Sequence, residues 1–349
     1  MPTVDLSGWW EGTAAEQAAV AANLDDACRR LGFLQLAGHR IPGAVIAAME
    51  RASAAFFDLP LEAKMAVRPA DLGANRGYSP PGAEALAYSL GEDGPPDLFE
   101  AFNIGEDEVD TRDPFYAAQR HRFFAPNVWP SGLPGFRHAL VAYFREARRV
   151  ALTLTEVFAV ALGLEPGWFR PFVDRSTTTM RIIDYRAGGG RGPGSGPGTV
   201  GRGAAPSTDP LGMGAHTDYG VVTVLWADGR PGLQILDPDG RWRDVRPDPG
   251  KLLVNLGDLT AEWTNDRWRS TLHRVLPPSA VGIERRRSTA FFLDANWDAI
   301  ITCVPTCTGP DRPPRYPPVV AGEHLMAKLM GPRELRRSTA VDTARDRRP

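Results

Sequence analysis

From about residue 175 onward the chain breaks into a succession of short β-type stretches, and this run constrains the fold more than any other feature of its 349 residues. The stretches are Met180–Tyr185, Val221–Trp226, Leu233–Leu236, Trp242–Val245, Leu252–Asn255, Ser270–Val275 and Arg287–Leu293. Turn signals such as Asp239-Gly240 and Asp248-Pro249-Gly250 separate them. Seven short strands at nearly regular spacing point to an all-β barrel or jelly roll.

Upstream the pattern is helical. Apolar residues recur at helix spacing from Ala14 to Leu31, from Pro42 to Phe57 and from Leu133 to Leu164, with a short strand expected at Phe33–Leu36. Residues 69–97, rich in Gly and Pro, read as loop. The expected architecture is therefore mainly β with flanking helices around a jelly-roll core. It divides into an N-terminal helix and strand region (1–110), a helical linker region (111–175), the core (176–300) and a C-terminal extension with its tail (301–349). A Gly-rich insertion at 186–214 buries too little apolar surface to fold alone, so a mobile segment is expected there, as a surface insertion or as a lid. The tail from Gly331, with six Arg against three acids, reads as a solvated end.

Composition narrows the function. A formal net charge of −2 lacks the clustered cationic excess that phosphate neutralisation needs, which argues against a nucleic-acid partner. The most apolar segment, Val150–Leu164, is interrupted by Thr153, Thr155 and Glu156 and falls short of a membrane span. The start, Met1-Pro2-Thr3-Val4-Asp5-Leu6, has no basic stretch followed by an apolar one, so a cytoplasmic protein is expected. Cys28, Cys303 and Cys307 are too few for a disulfide scaffold and read as ordinary reduced cysteines. The alternative for Cys303 and Cys307 is a small closed loop or a metal site.

Of six histidines, one lies two residues before an acid, in His216-Thr217-Asp218. In extended backbone residues i and i+2 share a side, so imidazole and carboxylate converge. His273 lies in another β-type run. Two imidazoles and a carboxylate form the facial triad that holds non-haem Fe(II) with open coordination positions. Zinc is the competing metal, although the helical His-Glu-x-x-His arrangement of many zinc proteases is missing. Downstream, Arg286 and Ser288 share a face if extended and suit a carboxylate, with Tyr185 as a third donor. Residues 277–283 are expected to connect a hairpin that sets Arg286 on the strand beside His273.

Read together, these residues resemble the isopenicillin N synthase-like branch of the Fe(II)/2-oxoglutarate-dependent dioxygenases. The resemblance covers most of the chain, through Leu31-Gly32-Phe33, Gly38-His39-Arg40-Ile41-Pro42, Arg76-Gly77-Tyr78, the stretch Asp97–Phe102, His216–Gly220, Gly232–Ile235, Asn255–Asp258 and Ser270–Val275. It implies a double-stranded β-helix, Fe(II) on His216, Asp218 and His273, and 2-oxoglutarate gripped by Arg286, Ser288 and Tyr185. It also implies O₂ as oxidant, ascorbate as a reductant, and release of succinate and CO₂ as a small organic molecule of specialised metabolism, such as antibiotic biosynthesis, is hydroxylated or otherwise oxidised. Asp218 stands where halogenating relatives carry Gly or Ala, which favours oxidation. Ile183 departs from the Asn that many relatives carry two positions before the tyrosine. Tyr78 and Phe292 match positions that line the substrate chamber in relatives, and Phe99 and Phe102 join them as candidates. His39 reads as structural, and His121, His138 and His324 as ordinary residues. The alternatives are an Fe(II) oxidase that needs no 2-oxoglutarate and a barrel that binds without catalysis. The sequence sets no oligomeric state.

Overall fold

The computed structural model describes residues 1–86, 95–188 and 211–329. Most of the Gly-rich insertion (189–210) and the tail from residue 330 lie outside the described residues, so the lid reading and the solvated-tail reading fall there. Among the described residues fourteen strands run in chain order: β1 (Thr3–Asp5), β2 (Phe33–Ala37), β3 (Gly77–Ser79), β4 (Phe99–Gly105), β5 (Thr179–Arg186), β6 (Met213–His216), β7 (Val222–Ala227), β8 (Leu233–Leu236), β9 (Trp242–Asp244), β10 (Leu252–Leu256), β11 (His273–Val275), β12 (Arg285–Leu293), β13 (Ile300–Ile301) and β14 (Val319–Val320).

Eight of these form one sheet in the order β1-β2-β10-β7-β12-β5-β4-β3, and four form a second in the order β6-β11-β8-β9. Only β1 and β2 pair in parallel; the other ladders of both sheets are antiparallel. The large sheet draws strands from residues 3–105 as well as from the core, so the region before residue 110 and the core after residue 175 share one sheet. The expected strands formed with shifts of a residue or two, except Ser270–Val275. There only His273–Val275 is strand, because the Thr271 hydroxyl bonds the Leu31 carbonyl and the Leu272 carbonyl accepts from Leu236.

The hairpin expectation fails. β11 pairs with β6 and β8 in the small sheet, whereas β12 pairs with β5 and β7 in the large one. Residues 276–284, with a short 3₁₀ turn at Pro278–Val281, carry the chain from one sheet to the other. Arg286 therefore belongs to the sheet opposite His273 rather than to a neighbouring strand.

Two hydrophobic layers follow from this arrangement. One lies between the sheets and includes Phe33, Ile183, Tyr185, Leu233, Ile235 and Leu253. The other lies between the large sheet and three long helices, Ala14–Arg30, Gly43–Phe57 and Phe136–Ala161. The first of these helices starts on a reciprocal Thr13–Glu16 capping box. The third packs on β7 and β12, with Phe144 edge-on to Phe291 at 5.1 Å. Alternation along β12 thus gives Phe291 to the helical layer and Arg286, Ser288, Ala290 and Phe292 to the interior between the sheets. No helix among the described residues is long and apolar enough to cross a membrane.

Phe291 is fully buried. Phe291→Ala should cost about 3–5 kcal/mol of stability in urea unfolding, with the shape of the pocket on the opposite face retained. A cost below about 1 kcal/mol would contradict this placement of the helical layer.

Candidate metal centre and co-substrate pocket

The pairing of β6 with β11 sets His216 directly opposite His273, with ring centroids 4.3 Å apart. Asp218 follows just past the end of β6, and its Oδ1 lies 3.9 Å from the Nε2 of each imidazole. One ligand atom from each of the three residues falls within 4.8 Å of the others, the sole such cluster of metal-ligating side chains among the described residues.

The outer hydrogen bonds leave the right atoms bare. His216 Nδ1 donates to the Gly214 carbonyl at 2.7 Å, and His273 Nδ1 donates to the Thr271 carbonyl at 3.0 Å. A carbonyl only accepts, so each Nδ1 carries its proton and each neutral ring presents a lone pair at Nε2. Burial, together with the neighbouring His273, pushes the His216 imidazole down to about 4, which keeps it neutral. Asp218 Oδ2 accepts from Thr223 Oγ1 and Asn255 Nδ2, both at 2.5 Å, leaving Oδ1 toward the imidazoles. Burial acts to raise this carboxyl, but the positive charge of the imidazoles when protonated, together with these hydrogen bonds, outweighs it and holds it below the usual carboxylate range. Two nitrogens and one oxygen, each fixed from behind, fit a divalent iron and leave one side open.

Across the cavity stands Arg286. Its residue is 2% exposed, its Nε has no hydrogen-bond partner, and no carboxylate among the described residues lies within ion-pair distance. Ser288 Oγ lies 3.4 Å from Nη1, and the Tyr185 ring centroid lies 5.3 Å from the guanidinium carbon. A buried cation without an internal counter-charge is costly, and a carboxylate ligand offsets that cost. Gly232, at φ +126°, brings backbone close to this side chain; a Cβ there would lie 3.6 Å from Arg286 Cδ. The pocket thus fits a metal-chelating acid with a second carboxylate.

Most residues expected from sequence converge here: His216, Asp218, His273, Arg286, Ser288, Tyr185 and Phe292 all line one cavity. Tyr78 and Phe102 do not. Register pairs them with each other on the face of β3 and β4 turned to the helices. Tyr78 donates to Glu100 Oε2 at 2.7 Å, beside the buried Lys64–Glu100 ion pair, and Phe102 packs on Phe56 and Phe136. Phe99 faces inward but sits edge-on to Tyr185 at 6.0 Å, in the layer between the sheets rather than in the cavity lining. Among the remaining histidines, His39 is buried and bonded to Ile41 N and Gly250 O, a structural role, and His121 and His138 are exposed. The three cysteines are unpaired.

Sequence reasoning passed over Thr223 and Asn255, along with Arg181, Glu84 and Asp294 in the cavity wall. It also passed over Asp97, whose carboxylate accepts from Leu86 N at 2.9 Å and from Gly214 N at 2.7 Å. The period-two alternation of β5 and β12 would have flagged Arg181; nothing local flags Asp97.

A double-stranded β-helix with two histidines on one sheet, an adjoining carboxylate beside them and a guanidinium without counter-charge on the other sheet defines a mononuclear metal oxygenase with a seat for a keto acid. Two family models agree with that class: the N-terminal model of non-haem dioxygenases in morphine synthesis matches residues 1–132, and the 2OG-Fe(II) oxygenase superfamily matches residues 201–295. The chain is 35% identical over 327 residues to the 2-oxoglutarate-Fe(II) type oxidoreductase hxnY of Emericella nidulans, covering 91% of this chain and 86% of that one. It is 34% identical over 341 residues to validamycin A dioxygenase of Streptomyces hygroscopicus subsp. limoneus, covering 94% and 85%. A full-length Neurospora crassa protein, crystallised in complex with alpha-KG, superposes with a TM-score of 0.78 at 28% identity, covering 94% and 95%. The chain belongs to the 2-oxoglutarate- and Fe(II)-dependent oxygenase superfamily. It is a 2-oxoglutarate-dependent dioxygenase that uses Fe(II) and oxidises a small molecule.

Asn255→Ala should weaken Co(II) binding, followed by its visible spectrum, about 10–100-fold, because a buried carboxylate oxygen loses its donor. Unchanged affinity would exclude a supporting role. Burial pushes the Asp97 carboxyl up to about 7, from 3.8 when free. The folded chain therefore keeps a proton that the unfolded chain releases between these values, and this group's contribution to stability falls as pH rises through the window. In urea unfolding, wild type should lose stability relative to Asp97→Asn as pH is raised from about 4 to about 7. A gap that stays constant or widens toward wild type would overturn the assignment.

Proposed function

We propose that His216, Asp218 and His273 hold the Fe(II), that Arg286 and Ser288 bind the distal carboxylate of 2-oxoglutarate, and that Tyr185 orients the guanidinium. The observation that carries this reading is the buried, unpaired Arg286 facing three ligands whose outer atoms are already satisfied. Iron bound there with 2-oxoglutarate supplies O₂-dependent oxidation of a substrate C–H bond, with succinate and CO₂ released.

The chain's own groups do the positioning. Arg286, backed by Ser288, sets the depth and direction of the keto acid by charge-assisted hydrogen bonds. Thr223 and Asn255 hold one face of the Asp218 carboxylate, and the Gly214 and Thr271 carbonyls hold the ring planes. Phe292, Leu225 and Met326 form apolar wall around the space left for substrate and exclude water from it. The helix over residues 321–329 contributes Leu325 and Met326 to that wall and is tied to the helix Asp258–Trp263 by Lys328 Nζ to Asp258 Oδ2 at 2.8 Å. A small organic substrate of specialised metabolism suits this wall and the names of the relatives. Three unpaired cysteines support a reducing, cytoplasmic setting.

The test is 2-oxoglutarate turnover to succinate with Fe(II), ascorbate and O₂. Asp218→Ala and His273→Ala should each abolish succinate formation. Arg286→Ala should raise KM for 2-oxoglutarate about 10–100-fold, the loss of one or two charge-assisted hydrogen bonds. Full activity in either ligand variant would overturn the metal assignment. An unchanged KM in Arg286→Ala would overturn the co-substrate seat.

A further inference from the structure

The register of the large sheet measures out the cavity wall. One row of inward residues runs Asn255–Thr223–Phe292–Thr179 and carries both donors to Asp218. The next runs Leu225–Ala290–Arg181–Asn103, the next Ala227–Ser288–Ile183–Ala101, and the last Arg286–Tyr185–Phe99. Arg181 thus stands one row from the supports of the metal ligand, one row from Ser288 and two rows from Arg286. Ala290, its neighbour in the row, has a side chain of a single methyl and leaves the guanidinium uncovered on that side.

Arg181 is held in place. Its Nε donates to Asn103 Oδ1 at 2.8 Å, and its two terminal nitrogens donate to the two oxygens of Glu84 at 2.9 and 3.0 Å. Ser79 Oγ donates to the same carboxylate at 3.2 Å. The two side chains are 11% and 14% exposed, and both residues line the cavity. A bidentate pair of this kind carries no net charge. It still offers a second N–H on each terminal nitrogen, a donor for a carbonyl, beside a carboxylate whose charge is already matched.

This geometry discriminates by charge. An anionic ligand would compete with Glu84 for the guanidinium. A cationic ligand would meet the guanidinium of Arg181 itself. The surrounding wall of Phe292, Ala290, Leu225 and Ile183 is apolar.

We propose that the Arg181–Glu84 pair is a substrate-orienting element and that the substrate is a neutral molecule bearing an amide- or lactam-type carbonyl on a mainly apolar body. This rests on the reading of the cavity as the oxygenase site. Hydrogen bonding to the pair anchors the polar end of the substrate beside the Phe292 row and leaves the apolar body toward the metal ligands.

Three probes share one phenyl ring and differ in the polar group it carries: benzamide (a neutral amide), benzoate (an anionic carboxylate) and benzylamine (a cationic amine). Each is titrated anaerobically into protein loaded with Fe(II) and 2-oxoglutarate, following the iron–2-oxoglutarate absorption band and the melting temperature. Benzamide should bind at least about tenfold more tightly than either charged probe, the equivalent of one good hydrogen bond against an unpaired charge. Arg181→Met should abolish that preference, whereas Arg181→Gln, which keeps an N–H donor, should retain it. Glu84→Gln leaves the guanidinium without its counter-charge and should move the preference to benzoate. A preference for benzoate or benzylamine in wild type, a benzamide preference that survives Arg181→Met, or binding of none of the three overturns the proposal. The band that forms on adding 2-oxoglutarate reports the co-substrate seat separately. Its absence counts against the oxygenase reading, and its presence with the wrong probe order counts against the substrate class alone.

Discussion

The cross-strand pairing of His216 with His273 is the constraint on which the rest of the site depends. It places two imidazoles side by side on neighbouring strands, their planes tilted by 52°, and each uses the same device to set its ring. In both, Nδ1 donates to the carbonyl two residues earlier, at Gly214 and at Thr271. Once these rings are set, Asp218 has one place to go. Its backbone carbonyl accepts from Asp258 N, and Gly220 and Gly257 touch behind it so closely that a Cβ on Gly257 would lie 2.2 Å from the Gly220 carbonyl oxygen. That approach requires glycine at 257, and glycine is required at 220, after Tyr219, because a Cβ there would run into Asp294 Oδ1.

The large sheet divides its labour by face. Even-numbered residues of β5, such as Asp184, meet Arg186 and Arg285 on the helix side, in a network of charges that extends to Asp58 and Glu100. Odd-numbered residues of the same strand, Thr179 through Tyr185, line the cavity. The charges that brace the helical layer against the sheet are thereby kept off the chemistry, and the few polar groups left inside have defined tasks.

Much of this was legible in the sequence. The seven strand stretches, the three long helices and the His216–Asp218 pair are local patterns, written in hydrophobic period and in an i, i+2 spacing. What escaped was long-range. Whether residues 277–283 turn back beside β11 or cross to the other sheet depends on pairing partners 50 to 100 residues away, and no local signal decides it. The same limit misplaced Tyr78 and Phe102, because aromatic character does not say which face of a strand is covered by helices. Asn255 and Thr223 are ordinary strand residues until register sets them under Asp218. Arg181, Glu84 and Asn103 come from three separate segments and mean nothing singly.

The distribution of the site across two layers has a thermodynamic consequence. Both histidines belong to the small sheet, while the carboxylate they share is braced by the large one, and the guanidinium lies wholly on the latter. Iron and the keto acid, held by these residues as proposed, would act as a clasp between two halves of a sandwich. Whatever free energy they release on binding is free energy that separating the halves must repay, so occupancy and cohesion of the barrel rise and fall together.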